Sequence, residues 1–276
     1  MVPESKTTGT VLDRIVAAKA ERVRQAQHRR PLDKLRGALE SAPARASFLQ
    51  AVTRPSINVI TEMKRASASA GALAEDLDPA GVARAFIESG ASAISVLTEQ
   101  DYFSGTLDDL RAVKEVAGPH GVPVLEKDFV FSEYQVYEAA VNGADAVLLI
   151  IAILEQDQYA ELLRLARCLG LDALVEVFTP KELELALSED PDIIGINNRN
   201  LKTLQTDLAT FERLAPLVPR DKALVAESGM KNADDVRRMR DAGAQAVLVG
   251  ESLMRAGGDV SDLIRELTGR GEQSHG

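Results

Sequence analysis

Five ionisable residues stand where apolar runs of this chain end, and that placement is the first sign of acid–base chemistry. Glu62 and Lys64 close the run in INVITEMK, Lys127 follows VPVLE, Glu176 lies inside ALVEV, and Glu227 closes ALVAE. Glu176 alternates with Leu174, and an unpaired carboxylate buried in such a strand costs several kcal/mol. It needs a cationic partner or a raised pKa, either of which makes it an acid–base candidate. The same holds for Glu62 and Glu227, and Lys64 and Lys127 are the natural partners. Cations set among carboxylates let one group stay protonated while its neighbour stays charged. Asn197, Asn198 and Arg199 in IGINNRNL, Thr98 and Glu99, and Asp128 end other runs and extend the same polar set.

The last two apolar runs suggest an anion site. LVAESG and VLVGESL place Ser228, Gly229, Gly250 and Glu251 where a strand turns into a helix. Backbone N–H groups exposed at such a turn form a phosphate cradle. Gly229 and Gly250 would keep side chains from holding the phosphate off the backbone. Glu251 would contribute its N–H while its carboxylate points to solvent.

Other chemistries are disfavoured. His28 falls in the first helical pattern, His120 in a PHG turn and His275 in the tail, so neither a metal site nor a histidine base is expected, and no cofactor. The single cysteine, Cys168, lies in LLRLARCLG and reads as packing. The formal net charge of −10 and a pI near 5.0 argue against nucleic-acid or membrane partners. With 4% aromatic residues, a stacking surface for single strands is also disfavoured. Neither a membrane span nor a signal peptide is visible, so a cytoplasmic protein is expected. The sequence leaves oligomeric state open between a monomer and a weak dimer.

The elements that position these residues repeat. Strands are predicted at Asn58–Glu62, Ala93–Leu97, Val122–Glu126, Ala146–Ile150, Ala173–Val177, Ile193–Asn197, Ala223–Glu227 and Ala246–Gly250, each followed by a helical pattern. ESGASAISV, VNGADAVLL and DAGAQAVLV share one helix-to-strand turn, with Gly as the left-handed cap. The fold class is therefore α/β, a (β/α)8 barrel, in which residues at the strands' C-terminal ends converge on one pocket. A doubly wound sheet fits less well, because no GxGxxG follows the first strand. Residues 1–50 read as an N-terminal helical extension covering an end of the barrel or folding beside its mouth, with 1–10 frayed. Residues 51–270 form the barrel and 271–276 a disordered tail.

VITEMKRASAS, SVLTEQDYFSGTLDDL, VLEKDFV, ALVEV, IGINNRNL, VAESG and VLVGESLM, in this order, resemble the indole-3-glycerol phosphate synthase family from about Val11 to Leu267. The resemblance implies a cofactor-independent ring closure of a small phosphorylated substrate. In it, 1-(2-carboxyphenylamino)-1-deoxyribulose 5-phosphate becomes indole-3-glycerol phosphate, with loss of carbon dioxide and water. It implies Lys127 as general acid, Glu176 for the later proton removal and dehydration, and Glu62 with Lys64 as a pair holding substrate and charges. Asn197 and Arg199 would contact the hydroxyls and the anthranilate carboxylate. Glu227 would lie near the sugar part, and Phe129 and Ser228 against the substrate. Ser67, Gly229, Gly250 and the Glu251 backbone would take the phosphate. How proton transfers divide between Lys127 and Lys64 stays open.

The family's first loop usually reads S-P-S, whereas this chain has Ser67, Ala68 and Ser69, and Ala70 where Lys is common. Without proline to fix φ, ordering that loop costs of the order of 1 kcal/mol more. Substrate should bind more tightly to an Ala68→Pro protein, and equal KM and kcat in the two would contradict this. Phosphoribosylanthranilate isomerase and the tryptophan synthase α subunit are neighbouring barrels that fit less well. The isomerase uses a Cys and Asp pair, and Cys168 lies away from any strand end. A non-catalytic scaffold would have no reason to keep opposed acids and bases.

Overall fold

Strands that are apolar on both faces need cover on both sides, and here helices supply it outside while side chains fill the interior. The computed structural model describes residues 6–67, 71–72, 76–201, 203–255 and 260–268. Its strands are β1 (Asn58–Met63), β2 (Ala93–Leu97), β3 (Val124–Lys127), β4 (Ala146–Ile150), β5 (Asp172–Val177), β6 (Ile193–Asn197), β7 (Ala223–Glu227) and β8 (Ala246–Val249). Each pairs in parallel with the next. β1 pairs with both β2 and β8, Ile60 opposite Ala93 and Asn58 opposite Ala246, so the sheet closes into the expected barrel.

Four strands differ from expectation at their ends: β1 runs on to Met63, β5 begins at Asp172, and β3 and β8 are shifted or shortened. β3 starts at Val124 because Pro123 has no N–H for the ladder, and Val122 is tied back to Ala117 at 3.2 Å. Lys127 is therefore the last residue of its strand rather than the first beyond it. β8 stops at Val249, and Gly250 leads into a five-residue helix, Glu251–Arg255, too short to leave a periodic signal. The shared turns are as expected. Gly90, Gly143 and Gly243 have φ of 90°, 91° and 108°, and the N–H of the following Ala reaches back to the helix at 3.0 Å each time.

The first helices close both ends of the barrel. α1 (Val11–Arg29) buries Leu12, Ile15, Val16 and Val23 on one face, each contributing about 1.5–3 kcal/mol when fully covered. Of residues 1–10, expected to be frayed, 1–5 lie outside the described residues, and 6–10 are held in place. Thr8 and Gly9 donate backbone N–H bonds to the Asp13 carboxylate at 2.7 Å, and Lys6 N–H reaches Ile153 O at 3.0 Å. α2 (Leu32–Ala38) follows, and Arg36 lies 5.2 Å above the Tyr137 ring. α3 (Phe48–Val52) plugs the end where the strands begin. Asp145 accepts from Ala46 N at 2.8 Å, Asp172 accepts from Leu49 N at 2.9 Å, and Phe48, Ala51 and Val52 are fully buried.

Cys168 corrects an expectation: it ends the helix Gln156–Cys168 and is exposed rather than packed. Ala68, Ser69, Ala70 and the tail 271–276 lie outside the described residues, and Ser67 is described in its backbone alone. Among the described residues, no helix is long and apolar enough to cross a membrane.

Candidate active site

A cavity of about 730 Å³ opens at the C-terminal ends of the strands, and Glu62, Lys64, Lys127, Glu176, Asn197 and Arg199 line it. Lys127 is central. Its Nζ donates to Glu227 Oε2 at 2.9 Å and stands 3.6 Å from Glu176 Oε2. Burial opposes its charge, but Glu227, Glu176 and Glu62 outweigh that and hold its pKa well above the usual lysine range. Asn197 Nδ2 donates to the other Glu176 oxygen at 3.1 Å, and Asn197 Oδ1 accepts from Arg199 N at 2.9 Å. Each partner thus fixes one oxygen of a buried carboxylate.

Glu62 and Lys64 form an ion pair at the exit of β1. Burial works against the Glu62 carboxylate, but Lys64, Lys127 and Arg199 hold it below the usual carboxylate range. Glu227 behaves oppositely. It is fully buried, and that burial, helped by Glu176 and Glu62 against Lys127, pushes its pKa up to about 7. Its Oε1 has no hydrogen-bond partner among the described residues. Glu227 does not itself line the cavity and reaches it through Lys127.

Beside strands β7 and β8, Ser228, Gly229, Gly250 and Glu251 line the cavity. Ser228 and Gly229 have φ of 64° and 95°, and Asn198 holds this turn by donating to Ser228 O at 3.2 Å. Asn198 is therefore a buried clamp rather than a cavity group. The two glycines make room for protein as well as for any ligand. A Cβ on Gly229 would meet Thr206 Cγ2 at 2.5 Å, and one on Gly250 would meet Glu62 Oε1 at 2.3 Å. Glu251 corrects another expectation: its carboxylate pairs with Arg199 at 3.1 Å instead of pointing to solvent.

Thr98 and Glu99 serve the scaffold, whereas Asp128 both lines the cavity and holds α1. Glu99 accepts from the N–H groups of Asp101, Tyr102 and Phe103 at 2.9, 2.7 and 3.2 Å, folding the loop that brings Phe103 to the cavity. Thr98 donates to Asp128 and Glu126 at 2.7 and 3.0 Å, and Lys19 of α1 pairs with Asp128. Phe129 lines the cavity, its ring centroid 6.1 Å from that of Phe103. Sequence reasoning missed most of the apolar wall: Val11, Leu12 and Ile15 from α1, Phe103, Leu204 and Met230, with Lys231 nearby. The 3.6-residue period of α1 marked its apolar face but not what that face covers. Among the described residues, no group of three or more His, Cys, Asp or Glu is arranged to hold a metal ion.

Solved structures with this architecture are remote in sequence. The 3-hexulose-6-phosphate synthase of Salmonella typhimurium superposes with a TM-score of 0.60 at 12% identity, covering 77% of this chain and 97% of that one. A thiamine phosphate pyrophosphorylase from Pyrococcus furiosus gives 0.58 at 18%, covering 78% and 95%. Both speak to the fold alone. Sequence relatives are far nearer. The indole-3-glycerol phosphate synthase of Mycobacteroides abscessus is 45% identical over 261 residues, 94% of this chain and 95% of that one. That of Kineococcus radiotolerans is 46% identical over 269 residues, 95% and 96% of the two chains. The family model described as indole-3-glycerol phosphate synthase matches residues 12–267. By its fold, by near full-length relatives and by that match, the chain belongs to the indole-3-glycerol phosphate synthase family, a family of lyases.

Proposed function

We propose that the chain closes the indole ring of indole-3-glycerol phosphate from 1-(2-carboxyphenylamino)-1-deoxyribulose 5-phosphate. The observation that carries this reading is Lys127, held as a cation between two buried carboxylates at the cavity. The ring carbon bearing the carboxylate attacks the ketose carbon while Lys127 gives a proton to the ketose oxygen. Surrounding carboxylates keep the lysine charged until that oxygen, made basic by the forming bond, takes the proton. Carbon dioxide then leaves, and its electron pair restores the ring. Glu176 removes the next proton as the hydroxyl departs as water, with a lysine supplying the proton it needs.

The other residues bind. Arg199 and Asn197 suit the anthranilate carboxylate and the hydroxyls, Glu62 and Lys64 hold charge beside them, and Phe129 with α1 and Phe103 covers the aromatic ring. Ser228, Gly229, Gly250 and the Glu251 N–H suit the phosphate, and Ser67 of the first loop is proposed to join them. Glu227 orients Lys127 and stands closest to the sugar through it. The reading is tested by replacing Lys127 with Ala and Glu176 with Gln. Each should lower kcat by about 10²–10⁴-fold, the usual worth of a positioned acid or base. Turnover equal to the parent's would remove both assignments.

A further inference from the structure

Gly195 lies inside β6, paired with Glu176 of β5 on one side and Val225 of β7 on the other. Its φ is not left-handed, so its backbone does not require glycine. A glycine inside a strand weakens the strand and marks a close approach instead. What approaches is Glu227. A Cβ built on Gly195 would stand 2.1 Å from Glu227 Oε1 and 3.2 Å from its Cδ. Leu174 Cδ1, at 3.1 Å, is the flexible end of a side chain and can yield by a few tenths of an ångström.

Glu227 cannot yield so easily. It has no exposed surface, its Oε2 is bonded to Lys127 at 2.9 Å, and Oε1 sits without a hydrogen-bond partner over Gly195. We propose that Gly195 is a positioning residue for the ring closure: the space above its Cα seats the Glu227 carboxylate, which in turn aims Lys127 into the cavity. A methyl group in that space would push Oε1 back by about 1 Å, and Lys127 would follow its partner or lose it. Errors of that size at a reacting group cost about 10²-fold in rate. Neither Gly195 nor Glu227 lines the cavity, so the loss should fall on kcat rather than on KM. The activity part of this proposal rests on the function proposed above, whereas the seat itself does not.

Four proteins test it: the parent, Gly195→Ala, Glu227→Ala and the double variant. Gly195→Ala should lower kcat by about 10–100-fold with a much smaller change in KM. In the Glu227→Ala background, where the seat has nothing to hold, the same substitution should change kcat by less than about twofold, because effects through a shared partner do not add. Thermal unfolding reads the seat without substrate: Gly195→Ala should lower Tm in the parent and leave it unchanged in Glu227→Ala. If Gly195→Ala does not fold, the double variant should. Equal Tm losses in both backgrounds, multiplied kcat losses, a double variant that fails to fold, or parent-like kinetics for Gly195→Ala would each overturn the proposal. A parent that does not turn over the substrate would remove the proposed function and leave the unfolding comparison to decide the seat.

Discussion

Single residues divide here by what their surroundings do to their charge. Lys127 is held protonated, Glu62 is held ionised, and Glu227 is pushed up to about 7. Arg199 is already paired with Glu251, so a substrate carboxylate would join or displace an existing charge-assisted bond. Removing the guanidinium should raise KM about 10-fold or more and change kcat less, since such bonds contribute about 1.5–3 kcal/mol. Steady-state kinetics of Arg199→Ala check this, and an unchanged KM would take Arg199 out of substrate binding. The ionisable residues were legible because a charge inside an apolar run has to be explained. Gly195 was not, since a glycine in a strand leaves no sign of whose side chain fills its space. The direction of the Glu251 carboxylate was hidden for a related reason: its partner is 52 positions away.

At the scale of elements, α1 is held to the barrel by a charged cluster behind the site. Glu126 alternates with Lys127 along β3 and so points away from the cavity. There it meets Asp128, Lys19 of α1 and Glu138 of the helix Glu133–Val141, with Thr98 donating to one of its oxygens. Its Oε2 has no hydrogen-bond partner among the described residues, and burial, then Asp128, push its pKa up to about 8. The unfolded carboxyl ionises near its ordinary value of 4.5, so between that pH and about 8 the folded chain holds the extra proton. Stability therefore falls as pH rises through this window. Glu126→Gln should gain stability over the parent progressively across it, by about 1–3 kcal/mol at the alkaline end. Thermal unfolding from pH 5 to 9 measures the difference, and parallel Tm curves would contradict it. None of this was legible. The helical period of α1 and the alternation of β3 were readable separately, but the contact joining Lys19 to Asp128 spans 109 residues.

For the whole molecule, eight repetitions of strand and helix, three of them joined by one glycine-capped turn, made the barrel readable, because the local patterns agree with one another. The extension was readable as helices. Its division of labour, with α3 plugging one end and α1 walling the mouth, depends on long-range contacts no local pattern carries. The fold alone does not decide the function, since barrels only 12% and 18% identical share it. The function proposed above rests instead on the acids, bases and small turns gathered at one end of it. The most direct test follows the product. The purified chain, mixed with 1-(2-carboxyphenylamino)-1-deoxyribulose 5-phosphate and with no metal or nucleotide added, should develop indole fluorescence as carbon dioxide is released. Fluorescence that stays that of the anthranilate, with the substrate recovered intact, would contradict the account.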